Sequence, residues 1–116
     1  FLDWGLPTVD ALRAVRSACP NARLIASGGV ENGLDAAKAL WLGAALVSMA
    51  GPVLRALTGD GRGAPDGATA MDVIESWKSQ LRLALFLTGA PDLPSFAGKP
   101  GHVGGPNQRA IVPQNR

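Results

Sequence analysis

"LIASGGVENGLDAAKAL", residues 24–40, decides the fold class of this chain. Leu24, Ile25 and Ala26 end an apolar run with no polar alternation, the pattern of a strand buried on both faces in a parallel sheet. A bare glycine pair, Gly28 and Gly29, follows at once. Asn32 then suits the cap of a helix, with Asp35 three places on as a capping-box-like partner and a charge suited to the helix dipole. That helix is expected to run to about Leu42, with Gly43 as its stop.

The pattern repeats one unit later. "AALVSM" (44–49) reads as a second buried strand, and "AGPVLRAL" (50–57) turns into another helix. Upstream, "ARLIA" (22–26) is preceded by a helix that begins at Pro7 or Thr8, where proline is tolerated and threonine can cap. Val9, Leu12, Val15 and Cys19 form its apolar stripe, and Pro20 stops it. Residues 59–68, "GDGRGAPDGA", read as a loop. A long helix is expected from Thr69 or Met71 to about Thr88, with Met71, Ile74, Trp77, Leu81, Leu85 and Thr88 as its main stripe and Gly89 as its stop. Leu83, Phe86 and Leu87 lie off that stripe, which predicts cover on more than one side. Periodicity disappears after Pro91, so residues 1–95 read as the folded part and 96–116 as a flexible tail.

Alternating buried strands and helices define an α/β protein with a parallel sheet. Two strands do not complete such a sheet, and a (β/α)8 barrel needs about 250 residues. A chain of 116 residues therefore supplies only the closing portion of one. Phe1, at the head of the apolar stretch "FLDWG", also suggests a piece of a longer protein. A net charge of +2 with scattered basic residues argues against nucleic acid or a membrane surface as partner. Cys19, the single cysteine, permits no internal disulfide, which points to a reducing compartment, and it reads as a small buried hydrophobe on its helix. No apolar run is long enough to cross a bilayer. His102 has no partner at metal-ligand spacing. Trp41 and Trp77 sit on helical stripes and read as core or subunit contacts.

The glycine pair has a chemical use. The loop after a parallel strand faces the ligand side, and the helix behind it presents unpaired N–H groups that attract a phosphate. A side chain at Gly28 or Gly29 would hold the phosphate away from the backbone, and glycine also permits positive φ. Ala50 and Gly51 are similarly small at the second junction. Two adjacent junctions of this kind can share one phosphate, as the loops after strands seven and eight of barrels often do. The spacing is neither G-x-G-x-x-G nor a P-loop.

"DWGLPTVDALRAVR", "IASGGVENGLDAAKALWLGA" and "SMAGPVLRAL" together resemble the C-terminal third of type 2 isopentenyl diphosphate isomerase over about residues 1–90. The resemblance implies the strand-seven and strand-eight portion of a (β/α)8 TIM barrel, incomplete on its own. It implies FMN as cofactor, Mg²⁺ and NADPH in the parent enzyme, and a small diphosphate substrate: isopentenyl and dimethylallyl diphosphate are interconverted in isoprenoid synthesis. It also implies a cytoplasmic homo-oligomer. Carried onto this chain, Gly28, Gly29, Val30 and Glu31 form the FMN-phosphate loop after strand seven, Ala50 and Gly51 the second phosphate contact, and Trp4 lies near the flavin. The family usually has a basic residue where this chain has Glu31, and a carboxylate there repels phosphate. The family's substrate ligands, Mg²⁺-binding glutamate and catalytic glutamine lie upstream of Phe1, so no catalytic or metal-binding residue is expected here. The alternatives are a fragment of another FMN barrel, of the 2-hydroxy-acid oxidase type, and a non-catalytic truncated half-barrel.

Overall fold

A computed structural model describes residues 5–58, 67–97 and 99–101. Its elements, in chain order, are α1 (Thr8–Ala18), β1 (Ile25–Ala26), α2 (Gly33–Trp41), β2 (Leu46–Val47), α3 (Gly51–Thr58), α4 (Gly67–Leu87) and α5 (Leu93–Ala97). The two strands are parallel, with Ile25 opposite Leu46 and Ala26 opposite Val47. Each is shorter than the apolar run that carries it. Backbone bonds extend the pairing on both sides, from Ala45 N–H to Leu24 C=O at 2.8 Å and from Ser48 N–H to Ala26 C=O at 2.8 Å.

The α/β order expected from the sequence is present, and the turn glycines explain its stops. Gly43 (φ 97°) follows α2 and Gly89 (φ 63°) follows α4, both in the left-handed region where a Cβ is costly. α1 ends at Ala18, one residue before Cys19, which is exposed rather than buried on the helix. Only Leu12 of its expected stripe is buried. Thr8 does not cap α1, whose N-cap is Pro7 with no side-chain bond.

The strands are not buried on both faces. Ala26 is buried with Leu12, Ala39 and Ala44, against Leu24 and Val47, on the helix side of the sheet. Side chains alternate along a strand, so Ile25 and Leu46 share the other face, where they are 63% and 61% exposed. Nothing in the described residues covers that face. An apolar groove between α1 and β1, lined by Leu6, Val15 and Ile25 among others, continues it.

The second cluster lies between helices. α4 packs against both α2 and α3. Ala37, Ala90 and Phe96 are buried together, with Trp41, Leu81, Ala84 and Leu85 packed around them. The loss of periodicity after Pro91 conceals a short helix: Asp92 Oδ1 accepts the Ser95 N–H at 2.8 Å, and α5 then delivers Phe96 to this cluster. Hydrogen bonds from the Ser95 side chain and backbone hold the Asp92 carboxyl below its usual range. Lys99 C=O accepts the Trp41 Nε1–H at 2.7 Å. Of the expected tail 96–116, residues 98 and 102–116, with His102, lie outside the described residues. On α4, Trp77, Leu81 and Leu85 are half-buried as expected, but Met71, Leu83, Phe86 and Leu87 are exposed. Within the described residues this helix is therefore covered on one side.

Candidate functional site

The parallel register brings the ends of β1 and β2 side by side, so the two strand–helix junctions open on the same end of the sheet. At the first, Gly28 has φ 81° and Gly29 φ 66°. The nearest heavy atom to a Cβ built at either position is Thr8 Oγ1, 3.9 Å away. Backbone conformation rather than crowding demands glycine here. Thr8 Oγ1 donates to the Gly28 carbonyl at 2.6 Å and ties the loop to the start of α1. Val30 is buried and anchors the loop from below.

The start of α2 is closed by side chains. Asn32 Oδ1 accepts from the N–H groups of Leu34 and Asp35, both at 2.9 Å, as the sequence predicts for a cap. The capping box is displaced by one residue: Asp35 Oδ2 lies 3.4 Å from the Glu31 N–H, not the Asn32 N–H. Gln80 Oε1, from α4, takes the Gly33 N–H at 2.7 Å. The first three N–H groups of α2 thus have acceptors, and the expectation that this helix start presents free donors to a phosphate is not met. The donors move into the loop. The N–H groups of Gly28, Gly29 and Val30 have no acceptor among the described residues.

The second junction is open. Ala50 C=O accepts the Leu54 N–H at 2.8 Å, the first bond of α3. Pro52 has no N–H, and those of Gly51 and Val53 have no acceptor among the described residues. The six residues expected at the site, Gly28, Gly29, Val30, Glu31, Ala50 and Gly51, therefore lie at two neighbouring junctions, five in the loops and Gly51 at the first position of α3. Trp4 lies outside the described residues.

The charge at Glu31 is not isolated. Its Oε2 accepts from Arg55 Nη2, which reaches back from α3 across the gap between the junctions. Arg55 Nη1 lies 3.2 Å from where a Cβ at Gly51 would stand. Asp35 is paired in turn with Lys38 at 3.4 Å. Sequence reasoning passed over Thr8 as a loop tether, Gln80 as a cap and Arg55 altogether. Only Arg55 carried a local signal, since four residues from Gly51 place it one helical turn along α3. No group of three or more His, Cys, Asp or Glu stands at metal-binding distance among the described residues. No helix among them is long and apolar enough to cross a membrane.

Glycine-rich junctions at one end of a parallel α/β pair are a recurrent phosphate-binding arrangement. Residues 1–100 match the model of a family described as FMN-dependent dehydrogenase, and the chain belongs to that family. Within it, the chain is 48% identical over 93 residues to an isopentenyl-diphosphate delta-isomerase of Stutzerimonas stutzeri, a match covering 80% of this chain and 25% of that protein. An isopentenyl-diphosphate delta-isomerase of Xanthobacter autotrophicus is 45% identical over 100 residues, 86% of this chain and 27% of its own. One from Aeropyrum pernix is 43% identical over 86 residues, 74% of this chain and 22% of its own. The chain spans about a quarter of the length of the curated relatives it matches.

Proposed function

We propose that this chain is the FMN-phosphate-holding part of a type 2 isopentenyl diphosphate isomerase, in the position of strands seven and eight of its (β/α)8 barrel. The observation that carries the reading is the pair of adjacent junctions in which the N–H groups of Gly28, Gly29 and Val30 in the first loop, and of Gly51 and Val53 at the start of α3, have no acceptor among the described residues. The residues present fit a phosphate ester. Gly28 and Gly29 hold left-handed backbone with open space around their Cα atoms, so an oxyanion can approach the main chain. Gly51 and Val53 add the dipole of α3.

In this reading Gly28, Gly29 and Val30 donate backbone N–H groups from one side, and Ala50 and Gly51 shape the other. Glu31 accompanies them through Arg55. Thr8 holds the Gly28 carbonyl and so fixes the loop at its positive φ values. Reduced flavin, when bound, would supply the proton-transfer chemistry that moves the double bond between isopentenyl and dimethylallyl diphosphate, a change with no net oxidation or reduction. The sites for Mg²⁺, NADPH and the substrate diphosphate belong to other parts of the enzyme, which we place in the cytoplasm as a homo-oligomer. The division into a folded part and a C-terminal tail belongs to the same proposal, with α5 and its buried Phe96 counted in the folded part rather than in a tail beginning at residue 96.

The test uses the full-length protein that carries this chain. It is expected to release FMN on denaturation and, with FMN, a reductant and Mg²⁺, to convert isopentenyl to dimethylallyl diphosphate. Oxidation of 2-hydroxy acids without isomerisation would instead assign it to the oxidase branch. A colourless, inactive protein would remove both flavin readings.

A further inference from the structure

We propose that Arg55 is the side-chain cation of the phosphate pocket and that Glu31 is its positioning residue. This deepens the FMN reading above and rests on it. A carboxylate alone at position 31 would oppose a phosphate dianion, and the loop offers no basic side chain of its own. The structure brings the missing charge from the neighbouring junction. The ion pair joins residues 24 apart in sequence and bridges the gap that a shared phosphate would occupy.

The pairing leaves Arg55 with donors to spare. A guanidinium has five N–H groups, and Glu31 accepts from Nη2. Nη1 has no acceptor among the described residues and stands beside Gly51, at the start of α3 where the Gly51 and Val53 N–H groups have no acceptor among the described residues. Gly51 is what permits this approach, since a Cβ there would sit 3.2 Å from Nη1. Both partners are more than half exposed, so water screens the pair and it contributes little to stability by itself. Its consequence is orientation: a long, mobile side chain is held at the mouth of the pocket, and less entropy is lost when an anion arrives. Asp35 and Lys38 pair with one another within α2, whereas Arg55, although paired with Glu31 through Nη2, keeps donors on Nη1 that can face a ligand.

The experiment compares FMN with riboflavin, which lacks the phosphate, by flavin fluorescence quenching on the full-length apoprotein. Arg55→Ala is expected to weaken FMN about tenfold or more, as for loss of a hydrogen bond to a charged group, and to leave riboflavin unchanged. Arg55→Lys should recover part of the loss. Glu31→Gln should weaken FMN a few-fold, and the double variant Glu31→Gln/Arg55→Ala should bind no worse than Arg55→Ala. Unchanged riboflavin affinity shows that each variant has folded. Tighter FMN binding by Glu31→Gln would show a plain repeller and overturn the positioning role. An Arg55→Ala protein with an unaltered FMN-to-riboflavin ratio would overturn the cation. A wild-type protein that does not distinguish the two flavins would overturn the phosphate site itself, and this proposal with it.

Discussion

At the first junction, side chains from two places, Asn32 and Gln80, take the N–H groups that begin α2; at the second, no acceptor among the described residues takes those of Gly51 and Val53 at the start of α3. The first is held by Thr8 from α1, Asn32 from its own loop and Gln80 from α4. The second has the side chains of Arg55 and Glu31 beside it. Glycine shows the same contrast. A Cβ at Gly33 would stand 2.3 Å from the Trp77 carbonyl oxygen and 2.7 Å from Gln80 Cβ, whereas one at Gly51 meets only the Arg55 and Glu31 side chains. A rigid junction and an open one side by side suit a site in which one loop is preformed and the other supplies free donors and an adaptable charge.

Substitutions break or sharpen this contrast in a graded way. Gly33→Ala should be the most damaging, because the clash is with backbone and α2 must move off α4. We expect a loss of about 3 kcal/mol in urea unfolding of the full-length protein. Gly29→Ala comes next. Forcing alanine to φ 66° should cost roughly 1–2 kcal/mol, read as a lower melting temperature, and FMN affinity should fall with it. Asn32→Ala removes the acceptor of two N–H groups, and its destabilisation should be about 1 kcal/mol, with Asn32→Asp recovering most of it. Thr8→Val keeps the shape and removes the bond to Gly28. We expect under about 1 kcal/mol of stability and, in the FMN-bound protein, a measurable rise in hydrogen exchange at Gly29 and Val30. Gly51→Ala should be the mildest, within about 0.5 kcal/mol, since a flexible guanidinium can step aside. A Gly51→Ala loss as large as that of Gly33→Ala would make the junctions equivalent and end the comparison.

Much of the fold was legible because its signals are local. Asn32 caps a helix two and three residues ahead, and Gly43 and Gly89 end helices that finish at most two residues before them. The strand–glycine–helix pattern and its repeat also placed the six candidate residues at neighbouring junctions. Less visible was how each strand face would be covered. An apolar run looks the same whether both faces are packed or, as at Ile25 and Leu46, one is bare. α5 was missed because five residues are too short to show a helical period, and only the burial of Phe96 reveals their purpose.

Short-range chemistry, then, was set by residue order alone: positive φ at glycines, a capping asparagine and the alternation of strand and helix. Tertiary structure decided who meets whom. Thr8 reaches Gly28 across 20 residues, Arg55 reaches Glu31 across 24 and Gln80 reaches Gly33 across 47. It also turned Glu31 from a misplaced negative charge into half of an ion pair. The physical reason is range. Backbone conformation and helix caps depend on neighbours within a turn, whereas hydrogen bonds and charge pairs between elements exist only after packing brings their ends together.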